Sequence, residues 1–309
     1  MKNNTFHVIL LLICAFFWGT TFAAQSIGAD LVGPYTFLAG RSWLAVVLLT
    51  PVIHVIDYIN DKKGKYSLKP KNEEQLRRLI ITGIICGTFL CLASAAQQAG
   101  MAYTTTAKAS FITTLYVVLV PIFSIFLKKK PPVQITVCVF ISLLGMILLC
   151  LGKNILSGEA LAVERGDALV ILSAVLFALQ VMSVAEFGPM VDGVRLSRVQ
   201  FTVVAVESTV LMLLFEQPAA ASIAAALPAI MYAGVFSSCV AYTLQIIGMK
   251  DVNPTLASLV MSLESVFGAL AGWVILGERM LPVEMAGGAL MFAAVILAQI
   301  PLPQKKKSL

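Results

Sequence analysis

Few residues in this chain could do chemistry, and most stand alone in apolar surroundings. Glu264 lies within SLVMSLESVFGAL, a run otherwise without charge. A carboxylate placed there is costly unless it pairs, meets water or takes up a proton. Two readings stand for it: a proton-coupling or amine-binding group, and a protonated carboxyl bonded to a neighbouring helix. The stripe Glu264, Gly268, Gly272 also has the spacing that lets another helix come close. Glu207, in VAVESTV, is read as structural or interfacial. Lys108 in AKASFI and Arg41 in LAGRSW are cations inside apolar runs, and each can snorkel its charge to an interface. Alternatively Lys108 is an outer gate or a contact for a carboxylate, and with Glu264 it would suit a zwitterion. Gln97 and Gln245 carry amide donors and acceptors, and Tyr242 adds a phenol. These three either bind a polar solute or join helices. Trp18 and Tyr116 either gate a passage or pack the core.

Other chemistries lack their parts. The only histidines are His7 and His54, and His54 with Asp57 does not make a metal cage. Cys14, Cys86, Cys91, Cys138, Cys150 and Cys239 all fall in apolar runs with no disulfide or zinc spacing. No HExxH, GxSxG or GxxxxGK[ST] occurs, so no metal, cofactor or direct ATP drive is expected, and an integral-membrane enzyme or a receptor is disfavoured.

The elements that position these residues follow from composition. The chain has 309 residues, 59% of them hydrophobic and 12% charged, with a mean hydropathy of +0.91. Lipid is therefore its main solvent. A net charge of +6 does not indicate nucleic acid, because the basic residues form no solvated patch. Ten runs are long enough to span: 6–25, 34–57, 76–100, 104–127, 133–152, 167–187, 196–216, 227–249, 254–276 and 282–300. The first is read as a span rather than a cleaved signal peptide. Pro34, Pro132, Pro254 and Pro282 stand at starts, where a missing N–H costs nothing.

With the N-terminus inside, seventeen Lys and Arg fall on the cytoplasmic side and only Lys153, Arg165 and Arg279 opposite. That excess predicts both termini in the cytoplasm of a multi-pass cell (inner) membrane protein. The basic runs 62–71, 128–130 and 305–307 serve as topology signals and contacts for anionic lipid.

The chain also resembles itself. A shift of 159 lays AFFWGTTF (15–22) on AVLFALQV (174–181) and Arg41 on Gln200. A shift of 148 lays Gln97 on Gln245 and ASFI (109–112) on ASLV (257–260), and a shift of 150 lays Pro132–Gln134 on Pro282–Glu284. The predicted units are residues 1–153 and 166–301, followed by a basic cytoplasmic tail, 302–309. Five spans is an odd number, so the second unit enters from the other side. Inverted repeats favour alternating access around a site near the midplane.

AFFWGTTF, TTTAKASFITTLYVVLVPIFSIFL and SLVMSLESVFGALAGWVILGERMLPVEMAGGALM resemble the EamA-type branch of the drug/metabolite transporter superfamily. The resemblance implies an all-α integral membrane fold of ten helices in two inverted five-helix repeats. It also implies a cavity lined mainly by helices 1, 3, 4, 6, 8 and 9, and transport of small metabolites. Lys128–Lys130 stand where the second half has Gly277–Arg279, so that position is not a symmetric pair. The expected function is secondary export of amino acids or related amines and carboxylates, driven by protons or by solute exchange. Uptake or exchange of a sugar, nucleoside or drug is the alternative. Oligomeric state stays open.

Overall fold

The computed structural model describes residues 2–62, 69–103, 106–126, 131–157, 165–250, 252–276 and 281–300, and their extended regular structure is entirely helical. Helices satisfy every backbone polar group internally, which an apolar solvent requires. The first three spans are α1 (Lys2–Ala29), α2 (Pro34–Lys62) and α3 (Glu73–Met101). The fourth is divided into α4 (Thr106–Thr114) and α5 (Tyr116–Phe126), and the fifth is α6 (Val133–Ser157). The sixth and seventh are α7 (Arg165–Phe187) and α8 (Gly193–Phe215). The eighth runs through α9 (Ala220–Tyr232), a π-helical stretch (Ala233–Ala241) and α10 (Tyr242–Gly248). The ninth is divided into α11 (Pro254–Met261) and α12 (Glu264–Leu276), and the tenth is α13 (Pro282–Gln299). Among the described residues nine spans are long and apolar enough to cross a bilayer, and α6 adds a shorter apolar stretch over Val133–Leu149.

Local signals set the helix starts. Pro34, Pro254 and Pro282 begin α2, α11 and α13. The side chains of Asn72, Asp192 and Asn253 accept first-turn amides of α3, α8 and α11. Three departures from the expected spans bear on function. The fourth span breaks at Leu115 and the ninth at Ser262–Leu263, where continuous helices were expected. At each break a hydroxyl bonds back to a carbonyl of the preceding turn, Thr114 to Ser110 and Ser262 to Leu259, which bends helices. The eighth span begins at Ala220 rather than 227 and is π-wound beyond Pro228, which removes one amide donor from its helix.

Packing follows a regular pattern. The second span packs on the seventh and the fifth on the tenth. The first packs on the ninth as the sixth packs on the fourth, and the third packs on the sixth as the eighth packs on the first. Exchanging each span with the one five places later leaves these pairings unchanged. Gly83 and Gly87 admit α8 against α3, since a Cβ at Gly87 would lie 2.8 Å from the Gln200 carbonyl oxygen. Gly19 does the same for α12, its Cβ position being 2.6 Å from the Glu264 carbonyl oxygen.

Candidate functional site

Where the broken spans meet the first and eighth, polar side chains converge on a central cavity. It is lined by Trp18, Phe22 and Gln25 of α1, Arg41 of α2, Ser94 and Gln97 of α3, and Thr113 and Tyr116 beside the first break. Phe177, Gln180 and Val181 of α7, Ser237, Tyr242 and Gln245 of the eighth span, and Glu264 of α12 complete it. The cavity leaves room of about 30 Å³ for the centres of water molecules. That is room for water.

Two ionisable groups of opposite type reach the cavity from different helices. Arg41 does not snorkel: it is 5% exposed, with Nε donating to Ser238 Oγ at 2.8 Å and Nη2 to Ser237 Oγ at 2.7 Å. The π-winding presents these adjacent serines to one guanidinium. Arg41 makes no ion pair among the described residues, so its charge is held by hydroxyls alone. Glu264 is 4% exposed and opens α12 directly after the break. Thr114 Oγ1 lies 3.3 Å from its Oε1 and 2.7 Å from Ser265 Oγ, linking the two breaks. The Tyr242 phenol lies within electrostatic reach of both Arg41 and Glu264.

Amides form a cluster on each side. Gln25 Nε2 donates to Gln97 Oε1 at 2.9 Å and to Gln98 Oε1 at 3.2 Å, and Gln97 Nε2 donates to Thr113 Oγ1 at 3.0 Å. Opposite, Gln180 Nε2 donates to Gln245 Oε1 and Gln200 Oε1, both at 3.3 Å. Gln97 and Gln245 are thus engaged between helices while also lining the cavity. Trp18 packs on Tyr242 with ring centroids 4.7 Å apart. Trp18 Nε1 is a buried donor that bonds to no protein atom among the described residues, whereas the Tyr116 phenol faces the Glu264 carboxyl. Such a donor is uncommon in a settled interior and is available to a solute.

Seven of the eight residues singled out from sequence, Glu264, Gln97, Gln245, Tyr242, Trp18, Tyr116 and Arg41, therefore line one cavity. The Lys108 side chain lies outside the described residues, as do Lys128–Lys130, residues 277–280 and the tail 302–309. Glu207 lies elsewhere, accepting from Thr88 Oγ1 at 2.7 Å across α3 and α8. Asp57 pairs with Arg195 rather than with His54 as a metal site. Gln25, Gln180, Ser237 and Thr114 were not singled out. For the glutamines, an amide within an uncharged span was the available signal. The serine and threonine hydroxyls carried none.

The model of the EamA-like transporter family matches this chain twice, over residues 5–151 and 164–299. A curated relative from Archaeoglobus fulgidus, described as an uncharacterized transporter, is 25% identical over 290 residues, covering 94% of this chain and 84% of that protein. A solved crystal structure, described only as that of a protein, superimposes with a TM-score of 0.72 at 17% identity, covering 96% of each chain. That likeness establishes the shared fold.

Proposed function

Because this chain belongs to the EamA-like transporter family, a transporter and not an enzyme, we propose that it exports amino acids or related amines and carboxylates by alternating access. The reading rests on one observation: the cavity carries a buried guanidinium, Arg41, held among the described residues by two serine hydroxyls, and a buried carboxyl, Glu264. A zwitterion would place its carboxylate on Arg41, where planar bidentate bonding is available, and its ammonium on Glu264. In this reading Arg41 takes the role expected from the sequence of Lys108, whose side chain lies outside the described residues. Trp18, Phe22 and Phe177 would receive the solute's apolar part.

Two units, residues 1–153 and 166–301, would enter the bilayer from opposite sides, leaving both termini cytoplasmic in a cell (inner) membrane. Exchange-invariant packing supports two equivalent units. The 30 Å³ cavity would then be the closed intermediate of a rocking cycle. Glu264 is the group suited to take a proton when the ammonium leaves, which would couple export to the proton gradient.

The test measures intracellular and medium amino-acid pools in expressing and deleted cells, then counterflow of the affected amino acid in proteoliposomes. Glu264→Gln and Arg41→Gln are each expected to lower counterflow about tenfold or more, since each removes a charge-assisted hydrogen bond. Unchanged handling by both variants would sink the zwitterion reading. Flux of sugars or nucleosides without amino acids would replace it with a neutral solute bound by the glutamines.

A further inference from the structure

Outside the central cavity, cations among the described residues gather where the two halves of the chain meet at the α2–α3 end of the molecule. A pocket of about 260 Å³ opens there. Lys69, Lys71 and Arg78 line it from the first half, and Asp192, Arg195 and Lys250 from the second. Lys69 is bonded to Asp61 at 3.1 Å and lies 3.6 Å from Asp57, Arg195 is bonded to Asp57 at 2.7 Å, and Arg78 is bonded to Glu74 at 3.2 Å. Counting Asp57, Asp61 and Glu74 with the lining, these described groups still keep a net positive charge. The Asp61 hydrogen bond holds the Lys69 ammonium above its ordinary range, so it stays charged at neutral pH. Lys250 Nζ donates only weakly, to the Val191 carbonyl at 3.4 Å. The remaining wall is apolar, formed by Pro70, Leu79, Pro189 and Met190. From it the exposed Leu76 and Ile80, one turn apart on α3, continue toward the span.

We propose that this pocket binds the phosphate of an anionic phospholipid, and that the bound headgroup ties the two halves together on this face. A phosphate oxygen can accept from cations of both halves at once, as basic pockets between spans do for lipid headgroups. The apolar wall and the Leu76–Ile80 strip favour a lipid over a free phosphate, because only a lipid has chains to lay along them. The pocket lies apart from the central cavity, so the inference does not depend on what is transported.

The experiment uses the purified, lipid-depleted full chain in an uncharged detergent. Native mass spectrometry counts bound lipid, and thermal unfolding follows titration with short-chain phosphatidylglycerol, phosphatidylcholine of the same chains, or inorganic phosphate. One phosphatidylglycerol per chain is expected to bind and raise the unfolding midpoint, and phosphatidylcholine is not. Arg78→Gln with Lys250→Gln is expected to weaken that binding about tenfold or more, whereas Lys62→Gln, on the same face but outside the pocket, leaves it unchanged. Undiminished binding by the double variant overturns the site. An equal loss in Lys62→Gln also overturns it, in favour of diffuse surface charge. Equal protection by inorganic phosphate overturns the lipid as the source. Should the double variant aggregate, Lys250→Gln alone carries the test, with about a fivefold loss expected.

Discussion

A buried guanidinium and a buried carboxyl are expensive in a membrane unless something repays their desolvation. Here the repayment is local: two serine hydroxyls for Arg41, and the hydroxyls of Thr114 and Tyr116 for Glu264. Arg41→Lys tests whether the fork matters or only the charge. A single ammonium cannot hold Ser237 and Ser238 in the same plane and still offer two parallel bonds to a carboxylate. Amino-acid counterflow is expected to fall about tenfold in Arg41→Lys, a loss of the size that follows removal of one hydrogen bond to a charged group. Wild-type counterflow would assign Arg41 a purely electrostatic role.

At the scale of elements, the spans are held by close backbone approach and by a few polar clasps at their ends. Glu216, just beyond α8, accepts from the Tyr35 and Thr36 amides at 2.8 Å each, capping α2 with a carboxylate from the other half of the chain. Gly33 makes this possible, since a Cβ there would fall inside the Glu216 carboxyl group. Glu216→Ala is expected to cost about 1 kcal/mol, as loss of a helix cap does, and to lower the thermal unfolding midpoint in detergent. The opposite ends of α2 and α8 are joined by Asp57 and Arg195. Clasped at both ends, this pair of spans would move as one body, and the broken fourth and ninth spans are the elements able to bend. Both breaks carry a back-bonding hydroxyl at positions 148 residues apart, Thr114 and Ser262. This offset is the one that aligns Gln97 with Gln245, as a bend shared by the two proposed units would require.

For the whole molecule, the proposed opposed orientation of the two units makes a prediction independent of any substrate. Single cysteines are introduced at exposed positions in a background lacking the six native ones. Ala219→Cys, before α9, is expected to react with a membrane-impermeant maleimide in intact cells, and Lys71→Cys, before α3, only after permeabilisation. The reverse pattern would invert the protein. Reaction of both from one side would remove a span between them and with it the odd five-span unit.

The apolar, helical character of the spans, the family and seven of the fifteen cavity-lining positions were legible in the sequence. Hydropathy is a local property, accumulated over the roughly 20 residues that cross a bilayer, and an ionisable or amide side chain in such a run marks itself. Glu264, Arg41, Gln97 and Gln245 were found in that way. What they face is not local. Arg41 reads equally well as a snorkelling cation until α2 is laid against the π-wound eighth span, which supplies Ser237 and Ser238. The glutamine clusters join residues 72 and 65 positions apart, and the Glu216 cap spans 180, separations that no period along the chain encodes. The breaks at Leu115 and Ser262–Leu263 were hidden for a related reason, since Thr and Ser occur throughout these spans. Only packing decides which hydroxyl turns back on its own helix and which reaches across to another.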